Sequence, residues 1–201
     1  MQTSPPDSQI ELIPNFIHLE ATNVLWEHLL NDIRWEQHHI NLFGKQLASP
    51  RLSAWHGDPE ANYHYSGQQL TPNPWTTQLL SIRSKINKQL DLNFNSVLLN
   101  YYRTGCDNIG WHADDEKILG ENPTIASLSL GANRRFVIKH KYRKDLPKYE
   151  YRLENGDLLI MSGPTQHFWK HQIPKTRKPI KPRINLTFRK IKIDISKSTQ
   201  Y

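Results

Sequence analysis

Cysteine is nearly absent: Cys106 stands alone among 201 residues. One thiol can form no internal disulfide and no thiolate zinc cluster, so a reducing, cytosol-like compartment is expected, cytoplasmic or nuclear in a eukaryote. No apolar run approaches the ~20 residues needed to span a bilayer, so no membrane partner is expected. The first seven residues have neither a basic start nor an apolar stretch, and no secretory leader is expected there. Acidic residues are in deficit, with 19 Asp and Glu against 26 Lys and Arg, a net charge of +7. Such an excess attracts polyanions, nucleic acid first among them, but it reports nothing finer than non-specific attraction.

The length suits one domain at ~100–200 residues per domain, long enough to bury a real core. Residues 1–9 are polar and rich in proline and read as a loose arm. Residues 10–201 then form a single domain. Residues 22–33 read as a helix with Leu25, Leu29, Leu30 and Ile33 on one stripe and Thr22 or Asn23 as its cap. A second helix follows Pro74, where Trp75, Leu79, Ile82, Ile86 and Leu90 step by three and four. Residues 40–74 show little periodicity and read as loops and short strands. From about residue 96 the period becomes two, with strands over 97–102, 124–130, 135–141, 157–161 and 184–190 separated by Gly and Pro turns. Helices first and short strands after predict an α+β, mainly β chain with a sandwich, barrel or jelly-roll core.

Residues 109–116 contain His112 and Asp114, two apart. In an extended chain, residues i and i+2 project to the same face, so both can reach one ion. A second histidine from a distant strand would complete a two-histidine, one-carboxylate face and leave open positions on an octahedral iron. His167 and His171 are both candidates for that place.

Residues 183–189 alternate strictly. Ile184, Leu186 and Phe188 take one face; Arg183, Asn185, Thr187 and Arg189 take the other. The polar face suits an anion, because the guanidinium fork matches a carboxylate. The two arginines lie roughly 20 Å apart at ~3.3 Å per residue, so spacing alone does not give them one shared ligand.

Several segments, in this order and spacing, resemble the AlkB family of Fe(II)- and 2-oxoglutarate-dependent dioxygenases. They are Asn100-Tyr-Tyr102, His112-Ala-Asp114-Asp115-Glu116, Ile125-Ala-Ser-Leu-Ser-Leu-Gly131, Gly156-Asp-Leu-Leu-Ile-Met161, His171-Gln-Ile-Pro174 and Pro182-Arg183-Ile-Asn185-Leu-Thr187-Phe-Arg189. The resemblance runs from about residue 42 to 191. It implies a double-stranded β-helix (jelly-roll) core over about 95–192, N-terminal helices, and a nucleotide-recognition lid over about 40–70. It implies that His112, Asp114 and His171 ligate Fe(II), which sets His167 aside. It implies that Asn100, Tyr102 and Arg183 hold the distal carboxylate of 2-oxoglutarate, with Arg189, Asn185 and Thr187 toward the metal-proximal end. The two arginines then need not grip the same carboxylate.

Phe43-Gly44-Lys45 and Tyr63-His64-Tyr65 look like the substrate-side elements of members that repair DNA. The resemblance implies that Tyr65 stacks on a flipped base, Phe43 wedges into the duplex, and Asp115 meets the damaged base. The implied activity is oxidative removal of N-alkyl groups, as in 1-methyladenine and 3-methylcytosine, using O2 and 2-oxoglutarate and releasing formaldehyde and succinate. The implied partner is alkylated DNA, single- or double-stranded, met by a monomer. Three rival readings stand beside it: an RNA demethylase of the same fold, a zinc-dependent hydrolase using the same three ligands, and a binding module without catalysis. Basic residues at 134, 135, 139, 141, 143 and 144, and again between 175 and 192, are candidates for phosphate contact.

Overall fold

The computed structural model describes residues 4–42, 45–65 and 68–192. Two antiparallel sheets face each other, and two helices cover the outer face of the larger one. The larger sheet has six strands in the order β1 (Gln9–Ile13), β12 (Leu158–Ser162), β9 (Ile125–Gly131), β14 (Arg183–Arg189), β7 (Ser96–Tyr102) and β4 (Leu52–Gly57). The smaller has four in the order β11 (Tyr149–Leu153), β10 (Arg134–His140), β13 (Trp169–Ile173) and β8 (Ile109–His112). Every neighbouring pair within each sheet is antiparallel.

Strand alternation creates the layers. On β14, Ile184, Leu186 and Phe188 pack outward with Leu99 and Leu128 against Leu25 and Leu29 of α1 (Leu19–Asp32) and Leu79 and Ile86 of α2 (Thr77–Leu90). Each such fully buried leucine contributes about 2 kcal/mol relative to exposure. A second apolar cluster lies between the sheets, joining Tyr102, Ile125, Leu159 and Met161 to Phe136, Ile138, Trp169 and Ile173. The polar residues of β14 point into this same inter-sheet space.

The second helix has its cap at Thr76, whose hydroxyl accepts the Leu79 N–H at 3.2 Å. The first begins at Leu19, earlier than its sequence signal. Thr22 is therefore no cap. It is buried in the first turn, donating to Leu19 O at 2.7 Å and accepting from Asn155 Nδ2 at 2.8 Å. The start is set by tertiary contact, because Ile17 N–H donates to Gly156 O at 3.1 Å. Gly156 has φ +85°, and a Cβ there would overlap the Ile17 carbonyl.

One expectation changes. Residues 4–9 are not loose. Pro6 O accepts the buried Trp169 Nε1–H at 2.9 Å, Ser4 Oγ donates to Ile10 O at 2.9 Å, and Gln9 already pairs with Ser162. An exposed edge of β12 and a buried indole donor both need partners, and this segment supplies them. The span 40–70 is made of loops and short strands, as its sequence reads. It holds two hairpins, β2 (His39–Leu42) with β3 (Lys45–Ala48) and β5 (Tyr63–Tyr65) with β6 (Gln68–Leu70). Between them runs β4, an edge strand of the larger sheet.

Candidate metal centre and carboxylate pocket

His112 ends β8 and His171 sits in the middle of β13. The two residues pair across the ladder, which brings their ring centroids to 4.2 Å. Asp114 follows His112 by two residues. Donor atoms of His112, Asp114 and His171 all lie within 4.8 Å of one another. His167 is not part of this group; its Nε2 meets Asn122 Oδ1 at 3.1 Å.

Each donor is prepared by its surroundings. His112 Nδ1–H donates to Gly110 O at 2.8 Å, leaving Nε2 with a free lone pair. His171 stacks on Phe136, with centroids 5.1 Å apart. Burial, reinforced by the neighbouring His112, pushes the His171 pKa down to about 3, so its imidazole is neutral and able to ligate. Asp114 is 2 % exposed, and burial alone would raise its pKa. The Arg189 guanidinium, with the two histidines, instead holds it below the usual carboxylate range. Arg189 Nη2 donates to Asp114 Oδ1. The other oxygen, Oδ2, lies 3.8 Å from His171 Nε2, a separation one ion can bridge. Two imidazoles and one carboxylate on one side of an ion fit a non-haem Fe(II) site with open positions.

The polar face of β14 forms a ladder beside this centre. Arg183 is 1 % exposed. Its Nη2 donates to Ser129 Oγ at 2.9 Å and to Asn185 Oδ1 at 2.6 Å. Asn185 also accepts from Ser127 Oγ at 3.0 Å and donates to Thr187 Oγ1 at 2.8 Å. Nε and Nη1 of Arg183 are buried with no hydrogen-bond partner, and among the described residues no carboxylate pairs with this cation. Burial lowers its pKa to about 10. The ring of Tyr102 lies between two guanidiniums, Arg183 at 5.4 Å and Arg134 at 5.5 Å. Unpartnered buried N–H groups under so much positive charge fit a carboxylate. Asn100 lies across from Asn185 on β7, and its Oδ1 accepts Arg51 Nε at 2.7 Å.

The ladder thus spans from a carboxylate pocket at Arg183 to the metal centre at Arg189. Asn185 and Thr187 orient Arg183 through the ladder. Asp115 is ion-paired to Lys141 at 2.8 Å and borders a cavity of about 590 Å³ with Asn122, Tyr142, His167 and Phe168. Lys45, Tyr63, His64 and Tyr65 fall on the hairpin strands, while Phe43 and Gly44 lie outside the described residues.

Three contributors carried no sequence signal. Gln166 is buried, and its Oε1 accepts the Asp114 backbone N–H at 2.8 Å. Arg51 reaches Asn100 from the loop before β4. Arg134 was grouped with surface cations but is 3 % exposed. It donates to the carbonyls of Thr104, Asp107 and Pro174 at 3.3, 2.8 and 2.8 Å. Charge alone cannot distinguish such a buried arginine from the solvated ones beside it.

Comparison with known proteins agrees with this geometry. The family model described as the 2OG-Fe(II) oxygenase superfamily matches residues 9–189. The chain is 40 % identical over 192 residues to the alpha-ketoglutarate-dependent dioxygenase alkB homolog 3 of Bos taurus, covering 92 % of this chain and 66 % of that protein. It is 41 % identical over 158 residues to the DNA oxidative demethylase ALKBH2 of Homo sapiens, covering 76 % of this chain and 60 % of that protein. It therefore spans slightly less than two thirds of these relatives. The solved structure of OsALKBH1 superposes with a TM-score of 0.62 at 16 % identity, over 94 % of this chain and 99 % of that one, which shows the shared fold. The chain belongs to the 2OG-Fe(II) oxygenase superfamily, and within it to the AlkB family. Fe(II) and 2-oxoglutarate are the metal and cosubstrate of that class.

Proposed function

We propose that the chain is an oxidative demethylase of alkylated DNA bases, acting on N-methyl groups such as those of 1-methyladenine and 3-methylcytosine. The observation that carries this reading is the buried Arg183 guanidinium, with Nε and Nη1 unpartnered, at the far end of the ladder from the His112, Asp114 and His171 set. A hydrolytic zinc site has no need of such a carboxylate pocket, and neither has a binding module. The name of one of the two relatives, the DNA oxidative demethylase, adds the choice of DNA.

In this reading His112, Asp114 and His171 hold Fe(II). Arg183, Tyr102 and Asn100 hold the distal carboxylate of 2-oxoglutarate. Bound iron, with 2-oxoglutarate and O2, supplies the oxidation that turns the N-methyl group into N-hydroxymethyl. Arg189 keeps Asp114 ionised and, by holding Oδ1, would leave Oδ2 for the metal. Phe136 fixes the plane of the His171 ring. The hydroxymethyl product loses formaldehyde, and the base recovers its N–H or lone pair.

A methyl group on the Watson–Crick edge cannot be reached inside a stacked pair, so the base must be flipped or single-stranded, at a cost of a few kcal/mol. The β2–β3 and β5–β6 hairpins are the proposed nucleotide-recognition lid. Stacking on Tyr65 would offset ~1–3 kcal/mol of that cost, and Asp115 would meet the base from the metal side. Phe43, Gly44, Lys45, Tyr63 and His64 belong to the same lid.

The test is an anaerobic mixture of protein, Fe(II), 2-oxoglutarate and an oligonucleotide carrying one 1-methyladenine, opened to O2. Loss of one CH2 mass from the oligonucleotide, with succinate, is expected for the wild type and not for His171→Ala. Absence of succinate would overturn the oxygenase reading. Succinate without repair would keep the reaction class and reject the substrate. Turnover of methylated RNA at least as fast as DNA would move the substrate to RNA.

A further inference from the structure

The smaller sheet has its inner face on the metal centre, and its outer face carries a separate pattern. Outward positions alternate with the inward Phe136, Ile138 and His171. They hold Arg135 and Lys139 on β10, Glu150 and Arg152 on β11, Lys170 on β13 and Trp111 on β8. Lys148 enters β11 on the same side. Lys148, Arg152 and Lys170 are exposed. Glu150 is the one acid on this face among the described residues, and Arg135 neutralises it at 2.7 Å. Among the described residues Lys139, Lys148, Arg152 and Lys170 form no ion pair with a carboxylate, although the charge of Arg152 also acts on Glu150. Two of them meet one half-buried aromatic. Lys139 Nζ lies 4.5 Å from the centre of the Trp111 ring, and Lys148 Nζ lies 5.8 Å from it.

Lys139 and Lys170 are directly opposed across the β10–β13 ladder. Like charges directly opposite destabilise a sheet. Placing two ammonium groups there, beside two more cations, favours an anionic occupant. Three other cations of residues 134–144 are held within the fold. Lys141 is held by Asp115 and Gln166 O, Arg143 by Asp145, and Arg134 by three carbonyls.

Position links this face to the site. β8 is the edge strand of the smaller sheet. Its last residue, His112, points to the metal centre, and the residue before it, Trp111, points the other way. A strand with its target base at the metal needs only to cross this one edge to reach the outer face. The crossing point is open, because a Cβ placed on Gly110 would meet nothing within 4 Å.

We propose that the outer face of the smaller sheet binds the single-stranded nucleic acid that flanks the target base. This rests on the nucleic-acid substrate proposed above. Phosphates lie on Lys139, Lys148, Arg152 and Lys170. One base stacks on Trp111 by displacing a lysine from its ring, the displaced ammonium turning to a phosphate. A flat base and a chain of phosphates are the chemistry that an aromatic flanked by cations on an open sheet recognises. Among the described residues of these four strands, no second exposed aromatic is set beside the cations, so one stacked base is assigned to this face.

The test uses the whole chain with unmodified oligonucleotides and no iron, so binding is read whether or not the oxygenase reading is right. Succinate formation, measured separately, reads that other question. A twelve-nucleotide single strand is titrated and followed by tryptophan fluorescence and by anisotropy of a label on the nucleic acid. The Lys139→Glu, Lys170→Glu double variant is expected to raise Kd roughly tenfold or more, and to lower the slope of log K against log salt by about 1.4, from ~0.7 for each of two phosphates. Trp111→Leu should remove most of the fluorescence quenching and weaken binding several-fold. Trp111→Tyr, which keeps an aromatic face, should restore most of the affinity. Lys88→Glu, the same charge change on α2 behind the larger sheet, should leave Kd within twofold.

Unchanged affinity and slope in the double variant would overturn the proposal. So would a weakening in Lys88→Glu equal to that in the double variant, which would mean general charge attraction. Binding of duplex more tightly than single strand, with the same sensitivity to Lys139 and Lys170, would reject the single-strand assignment. Equal weakening in the tyrosine and leucine variants would reject stacking on Trp111.

Discussion

Replacing Arg183 with methionine separates the cost of a buried cation from its use. Burial drives its pKa from 12.5 to about 10. At 1.36 kcal/mol per unit, holding the charge there costs the empty protein roughly 3 kcal/mol. Methionine removes that cost and keeps most of the volume. It also leaves Ser129 Oγ without its Arg183 donor and Asn185 Oδ1 with Ser127 Oγ alone, which costs about 1–3 kcal/mol. The two effects nearly cancel, so the empty variant should melt within a few degrees of the wild type. Binding should behave differently. At a hundredfold excess over Kd, a ligand adds about 2.7 kcal/mol of stability. For a chain of this size that is ~5–10 °C in Tm. Differential scanning calorimetry with Mn(II) in place of iron, with and without 2-oxoglutarate, reads both quantities. The wild type should rise by that amount and Arg183→Met should not move. In turnover, losing one partner of a desolvated charge pair costs ~2–5 kcal/mol, a rise of at least about thirtyfold in the KM for 2-oxoglutarate. A variant that keeps the wild-type thermal shift and KM would refute the assignment of this pocket to the cosubstrate.

Gln166→Leu should leave the Asp114 N–H unsatisfied, lowering stability by about 1–3 kcal/mol and weakening iron binding ~10–100-fold, as read by thermal melts and metal titration. Arg134→Leu strands three buried carbonyls and should destabilise by more than about 3 kcal/mol in urea titration, whereas Arg135→Leu on the outer face should cost under ~1 kcal/mol. Gly156→Ala meets the Ile17 carbonyl at a positive φ and should lower stability by at least ~2 kcal/mol, with α1 the first element to lose amide protection. His56 is buried, and burial lowers its pKa from 6.5 although its Nδ1–H donates to Pro74 O at 2.7 Å. The unfolded chain therefore takes up a proton near pH 6.5 that the folded chain refuses. Stability should fall as pH drops below 6.5, and His56→Gln should flatten that slope by up to one proton in pH-dependent urea titrations.

The arrangement of β14 was legible from its residues alone. Strict alternation over Arg183–Arg189 admits one strand with an apolar and a polar face, and the structure puts the apolar face on the helices and the polar one between the sheets. The stripes of both helices were equally plain, because periodicity is a local property. His112 and Asp114 announced themselves as a same-face pair for the same reason. Choosing His171 over His167 needed the family pattern, and its geometric reason is the cross-strand pairing with His112. Where local patterns fell short, the deciding partner was distant in the chain. The start of α1 depends on Gly156, the fixing of residues 4–9 on Trp169 and Ser162, and the aim of Asp114 on Gln166, 52 residues away. The sorting of arginines was beyond composition as well. Arg134, Arg183 and Arg189 are withdrawn from solvent, while Arg135 and Arg152 face it. A sequence by itself determines period, face and the kinds of groups on each face. Burial, and with it the lowered pKa of His171 and Arg183, the unpartnered donors of Arg183 and the shared ligand position, is decided only when the two sheets close on each other and remove water from one face of each.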